Sequence, residues 1–268
     1  MIRRAAFLTP WHHHHAPYVL DRVLAGLPGL EALLVTTPKL ATGKRSSLTG
    51  LRATRSLSGP VYLGMMGMMS LGVAAAGVAE RLRDRPRESW KYLGTRRVLE
   101  ERPALRHLPV TDVNAPETLE AIRAFAPEVL VSVFFNQILS PEVLALAPRG
   151  VWNLHPSLLP SYRGVSPVFW TLAEGEPTAG VTLHGMTETI DQGPILGRAR
   201  FPVEDVESYF SLYRKCAERG AGLIVSALED PARTVTPDPA VASSHFSYPS
   251  AAAVRRFHRR GRKFFRVW

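Results

Sequence analysis

Residues 151 to 196 read VWNLHPSLLPSYRGVSPVFWTLAEGEPTAGVTLHGMTETIDQGPIL, and the fold is read outward from them. Val151-Trp152 is a short apolar run of the kind that forms a buried strand. Asn153 and His155 follow at a spacing of two, so on an extended chain their side chains point the same way. Pro156 keeps His155 extended, because the residue before proline avoids the helical region. Ser166-Pro167 begins a helix that runs to Glu174. Gly180 to Met186 and Pro194 to Val203 read as two strands, with Asp191 in the loop between them. An amide, an imidazole and a carboxylate can supply a hydrogen-bond donor, a base tunable near neutral pH and a group to orient that base.

The same stretch resembles the formyltransferases that use 10-formyltetrahydrofolate. That family includes glycinamide ribonucleotide, methionyl-tRNA and sugar N-formyltransferases. The matching residues are Asn153 to Pro160, Tyr162-Arg163-Gly164, Gly175-Glu176, Gly180 to His184 and Asp191 to Leu196, all in order. The resemblance extends more weakly from about residue 128 to about residue 229. It implies that Asn153, His155 and Asp191 are the catalytic trio. It also implies a co-substrate, 10-formyltetrahydrofolate, bound by Phe135, Gln137, Ile138 and Leu139 on one side and by Met186, Ile190 and Gly193 on the other. His184 reads as packing near the site, and Ser157 lacks the surroundings of a nucleophile.

Upstream, Ala5 to Leu8 reads as a first strand, Tyr18 to Leu27 as a helix and Ala32 to Val35 as a second strand. Strand, loop, helix, strand opens a parallel sheet. Asn114 to Glu117 reads as a helix start with Asn114 at the cap, and Glu128 to Val133 as a further buried strand. The expected fold class is therefore α/β: a Rossmann-like, mostly parallel sheet flanked by helices, with a short C-terminal extension. The expected division is a catalytic domain over 1–230, carrying a basic and apolar insertion over about 37–100, and an extension over 231–268.

The turn after the first strand holds Trp11 and a run of four histidines, His12 to His15. Loops at this place in parallel sheets bind ligands. Trp11, His13, His14 and Arg163 are therefore the expected contacts of the amine acceptor; a surface accident and a metal site are the competing readings of the run. No residue is assigned as a metal ligand.

The net charge is +10, and between Ala251 and Trp268 there are seven Arg or Lys and no acid. Such a tail can attract phosphates, or it can be a solvated face. Its aromatics, Phe257, Phe264, Phe265 and Trp268, also suit a segment that wraps back on the core. From Ser56 to Ala79 no residue is charged. This stretch reads as a helix packed on the domain or between subunits of a homo-oligomer, with membrane contact the less favoured reading. The single Cys216 excludes an internal disulfide, and no leader pattern stands at the start, so the expected location is the cytoplasm.

The resemblance implies an enzyme that formylates a small-molecule amine, such as an aminosugar nucleotide or an amine on a specialised metabolite. Two alternatives are action on aminoacyl-tRNA and hydrolysis of 10-formyltetrahydrofolate. Nucleic acid is not favoured, because the roughly forty residues after the core are too few for an all-β RNA-binding unit.

Overall fold

In a computed structural model, the structure describes residues 1–37, 94–232, 234–236 and 241–265, with positions 64, 67 and 71. The uncharged stretch and the basic residues around it fall outside the described residues, apart from those three positions. Trp268 does too.

Seven strands form one sheet in the order β3-β2-β1-β4-β5-β7-β8. They are β1 (Arg4–Pro10), β2 (Glu31–Thr37), β3 (Arg106–Pro109), β4 (Val129–Val133), β5 (Val151–His155), β7 (Thr178–Gly185) and β8 (Ile195–Pro202). From β3 across to β5 the neighbours are parallel. From β5 across to β8 they are antiparallel. The expected Rossmann-like, mostly parallel α/β sheet is what the chain forms.

Strand residues alternate between two cores. Ala5 and Phe7 of β1 enter the larger one, with α1 (Ala16–Gly26), α2 (Thr95–Glu101), α5 (Pro167–Glu174), α6 (Tyr209–Glu229) and α7 (Ala251–Arg259). Ala6 and Leu8 enter the smaller one, with α3 (Pro116–Phe125) and α4 (Pro141–Leu144). In β5, Trp152 and Leu154 belong to the larger core and Val151 to the smaller. Asn153 and His155 therefore project on the side of α3 and α4.

Asn114 is not the helix cap that its sequence suggested; Ala115 holds that place. The Asn114 side chain instead bonds across to the exit of β4, donating to the Ile138 carbonyl at 3.0 Å and accepting from Ser140 N at 2.8 Å. The long helix α6 starts on a capping box, with Ser208 accepting from Ser211 N and the Ser211 hydroxyl taking the N–H of Ser208.

The C-terminal segment wraps back on the core. Phe257 is fully buried, stacked on Phe169 of α5 at 5.1 Å and set against Phe264 at 4.8 Å. A two-residue strand β9 (His245–Phe246) pairs with β6 (Arg163–Gly164) in a separate small sheet. Gly164, at φ +91°, lies so close to the Phe246 carbonyl that any Cβ there would clash at 2.4 Å. Replacing Phe257 by alanine removes a ring shared by three elements and should cost about 3–5 kcal/mol of unfolding free energy. Urea denaturation would measure it, and a loss under about 1 kcal/mol would show that the aromatic contacts do not carry the docking.

Candidate active site

The parallel strand β4 sets Ser132 beside Asn153, and the antiparallel strand β7 sets His184 on the other side. In-register neighbours share a face of the sheet, so three polar side chains lie in one row. The Ser132 hydroxyl donates to Asn153 Oδ1 at 2.8 Å. At the other end of the row, His184 Nδ1 lies 2.8 Å from the carbonyl of Gly185. A carbonyl only accepts, so Nδ1 is the donor here and Nε2 is the nitrogen left to face Asn153. That nitrogen takes a hydrogen bond from Asn153 Nδ2 at 3.2 Å. The amide orientation is thereby fixed, and among the described residues one Asn153 N–H is left to donate elsewhere. His184 thus positions Asn153, beyond the packing expected of it. The signal for this lay in the pairing register of two strands that are distant in sequence.

His155 is only 5% exposed. Its Nε2 lies 2.9 Å from the Tyr162 carbonyl, so Nε2 carries the proton and Nδ1 is the bare nitrogen. Asp191 Oδ1 sits 3.6 Å from that Nδ1 and 3.6 Å from His184 Nε2. Burial lowers the His155 pKa; Asp191 and the Tyr162 carbonyl oppose the shift without cancelling it. Burial works the other way on Asp191. His184, the charge of His155 and the Gly164 N–H, which donates to Oδ2 at 2.7 Å, outweigh it and hold the carboxyl at about 2. At neutral pH the site holds a neutral imidazole whose bare Nδ1 lies 3.6 Å from an ionised carboxylate.

The loop after β5 is pinned from several directions. Thr182 donates to the Ser157 carbonyl and accepts from Leu159 N. Ser157 donates to the Ser161 carbonyl, which is a structural use of its hydroxyl. Tyr162, at φ +59°, donates its hydroxyl to Glu176 Oε1 at 2.6 Å and its N–H to Ser244 Oγ at 2.8 Å, and stacks on Phe246 at 5.2 Å. The C-terminal segment therefore holds the carbonyl that sets the His155 tautomer. Asp191 also has a positive φ, +54°, and Gly193 two residues on abuts the Gly185 carbonyl too closely for any side chain.

The seven residues expected to bind the co-substrate separate by exposure. Ile138 and Ile190 are 80% and 53% exposed, on the exits of β4 and β7. Phe135 and Met186 are half-buried and pack on the smaller core from those two exits. Gln137 and Leu139 turn inward. The Gln137 amide is bonded to Val113 N and the Thr111 carbonyl, and Leu139 is part of the smaller core.

The four expected acceptor contacts do not converge. His13 accepts the N–H groups of His15 and Ala16 on Nδ1, both at 3.1 Å, and so caps α1. Its ring stacks on Phe134 at 5.0 Å. His14 packs toward Phe210. Both partners belong to the larger core, on the opposite side of the sheet from Asn153 and His155. Arg163 bonds the C-terminal strap, through its N–H at 3.0 Å from the Ser244 carbonyl and its Nε at 3.5 Å from the same oxygen. Trp11, together with His12, faces an opening. His15, which was not singled out, is 3% exposed and held neutral by burial and then by His13 and His14. Among the described residues no group of three His, Cys, Asp or Glu could hold a metal ion, and no helix is long and apolar enough to cross a membrane.

A family model described as Formyl transferase matches residues 80–228. Among solved structures, the chain is similar to glycinamide ribonucleotide transformylase 1 from Symbiobacterium toebii, with TM-score 0.57 and 19% identity over 89% of this chain and 95% of that one. It is also similar to an N-formyltransferase from Helicobacter canadensis in complex with folinic acid and dTDP-3-aminofucose, with TM-score 0.56 and 16% identity over 94% and 72%. A third is a sugar N-formyltransferase from a Shewanella species, with TM-score 0.55 and 14% identity over 93% and 77%. At these identities the likeness is one of fold.

The His155 environment makes a titration prediction. Its folded pKa is depressed, so the imidazole should titrate below its ordinary value of about 6.5 and be neutral above that pH. Removing the Asp191 charge takes away the opposing attraction, so in Asp191→Asn the midpoint should fall further. Imidazole resonances followed by NMR against pH would show both shifts; a His155 midpoint above 7 in the folded protein would contradict the arrangement.

Proposed function

The chain belongs to the formyl transferase family, and on that premise we propose that it moves the formyl group of 10-formyltetrahydrofolate to the amine of a small molecule, with Asn153, His155 and Asp191 as the catalytic trio. It is a formyltransferase dependent on that folate. The acceptor we assign is an aminosugar nucleotide or an amine on a specialised metabolite. The folate and the aminosugar nucleotide in the Helicobacter canadensis complex support both halves of this reading.

The observation that carries it is the bare Nδ1 of His155 facing Asp191 at 3.6 Å, beside an Asn153 amide with one N–H to give. The folate supplies a formyl carbon activated for attack. As the acceptor nitrogen bonds to that carbon, negative charge grows on the formyl oxygen, and the Asn153 N–H is placed to donate to it. The attacking nitrogen must lose a proton, and His155 Nδ1 is neutral and available to take it. Asp191, ionised, then stabilises the imidazolium that forms and holds an ordered water or the departing proton in line. Breaking the bond between the formyl carbon and the folate nitrogen requires that a proton reach that nitrogen. His155, now protonated, is the nearest titratable source, with Asp191 at its side. Exposed Ile138 and Ile190, with Phe135 and Met186 between them and the core, suit a flat, largely apolar ring system, so these residues would hold the folate.

Each of Asn153→Ala, His155→Ala and Asp191→Ala should lower turnover by at least about a hundredfold. Acceptors would be found by incubating the protein, 10-formyltetrahydrofolate and a panel of amines, and looking by mass spectrometry for products heavier by CO. Wild-type turnover in two of the three folded variants would remove the catalytic assignment, and no formylated amine with consumption of the folate would mark a hydrolase instead.

A further inference from the structure

Trp11 faces an opening at the opposite end of the parallel half of the sheet from the trio. An open cavity of about 440 Å³ lies over the carboxyl ends of β1, β2 and β3, lined by Trp11, His12, Thr36, Thr37, His107, Pro109, Val110 and Thr111. That volume is within the ordinary range for small-molecule sites. One wall is a stacked pair, Trp11 on His107, with ring centres 5.3 Å apart and planes 27° from parallel. The pair is fixed from behind. Trp11 N donates to the Thr37 carbonyl at 2.8 Å, and Thr95 Oγ1 donates to the Trp11 carbonyl at 2.9 Å. His107 Nε2 shares a hydrogen bond with Thr36 Oγ1 at 2.9 Å.

We propose that this cavity receives an uncharged planar aromatic ring at the non-reacting end of the acceptor, held by stacking against the Trp11–His107 wall. The inference rests on the reading of the protein as a small-amine formyltransferase. The chemistry of the walls carries it. The described lining residues are aromatic, hydroxyl-bearing or apolar, which suits an uncharged occupant. His107 is kept neutral by its partial burial, which fits an uncharged occupant. A tryptophan face with threonine hydroxyls around it recognises a flat ring that carries hydrogen-bonding edges.

The geometry also fixes the acceptor's length. Leu8 of β1 is in register with Ser132, and Ser132 with Asn153. β1 and β3 are two and four strands from β5. At strand spacing the cavity is on the order of 10 to 20 Å from the Asn153 amide. The Thr37 hydroxyl, at the cavity edge, donates to Asn136 Oδ1 at 3.1 Å, so the exit loop of β4 joins this cavity to the formyl site. The acceptor is therefore an elongated molecule, with a ring at one end and a primary amine at the other.

Ligand binding to the full chain without folate tests this apart from catalysis. Indole and benzamide, uncharged at neutral pH, serve as ring probes, with glucosamine and inorganic phosphate as ringless controls, observed by saturation-transfer NMR and titration. The ring probes should bind with millimolar affinity and the controls should not. Trp11→Ala, and separately Val110→Trp, which fills the cavity, should each weaken the probes tenfold or more. Ile190→Asp, which spoils the folate cleft, should leave them unchanged. Equal binding to wild type and both cavity variants, loss of binding in Ile190→Asp, or a preference for phosphate or glucosamine would each overturn the proposal. Because no formyl transfer is involved, a chain that binds the ring probes but formylates no amine would refute the proposed reaction and leave the cavity's specificity standing.

Discussion

Strand β5 is held between a parallel neighbour and an antiparallel one, and the site depends on that double constraint. Parallel pairing with β4 brings Ser132 level with Asn153; antiparallel pairing with β7 brings His184 level from the other side. A slip of one residue in either ladder would turn the partner's side chain to the far face of the sheet. The apolar alternation prevents it. Trp152 and Leu154 must enter the larger core, and Val181 and Leu183 of β7 must enter the same one. Hydrophobic burial thus sets the register, and the register sets the hydrogen bonds that orient an amide and fix a histidine tautomer. Asn153, His155 and Asp191 are not themselves members of the apolar cores that set this register.

The cost of the site is concentrated in the backbone around it. Five non-glycine residues have a positive φ among the described residues, and four of them, Phe134, Tyr162, Ser166 and Asp191, border the strand exits near the trio. Each such conformation costs on the order of 1 to 3 kcal/mol and persists only where its surroundings over-determine it. Tyr162 is held by Glu176, Ser244 and Phe246 at once. Asp191 is held by the Gly164 N–H, and Gly164 is itself pressed against Phe246. The C-terminal strap thereby supports both groups that meet His155, the carbonyl on one nitrogen and the carboxylate beside the other.

Strand positions and the Asn153, His155 and Asp191 constellation were legible because they follow from period-two alternation and from an extended, order-preserving motif. The histidine run was not legible, because four consecutive residues in a turn diverge. Trp11 and His12 face the ends of β2 and β3, whereas His13 turns back to cap α1 and His14 leans on Phe210. Local sequence carries no sign of which way each ring goes; the divergence depends on Phe134 and α6, far along the chain. The surroundings of Arg163 and His184 were not legible for the same reason. Arg163 is committed to a strap some eighty residues later, and His184 acquires its task only from the strand opposite it.

The basic tail shows how charge can be read wrongly when its partners are backbone. Between Ala251 and Trp268 the excess of Arg and Lys looks like an attractor for phosphate. Among the described residues, several of these cations have intramolecular partners. Arg256 pairs with Glu174, at the C-terminal end of α5. Arg260 donates to the Ala173 carbonyl one residue earlier, and its guanidinium fills the space over Gly175 that any Cβ would occupy. Arg262 donates to the carbonyls of Glu204 and Asp205. The last turn of a helix exposes unsatisfied carbonyls and the negative end of its dipole, so Arg260 satisfies a carbonyl there and Arg256, paired with the Glu174 side chain, places a second positive charge at that end. Phe257 and Phe264, buried between them, bring the arginines into place. Aromatic burial and carbonyl capping together explain why a segment so rich in charge lies against the protein.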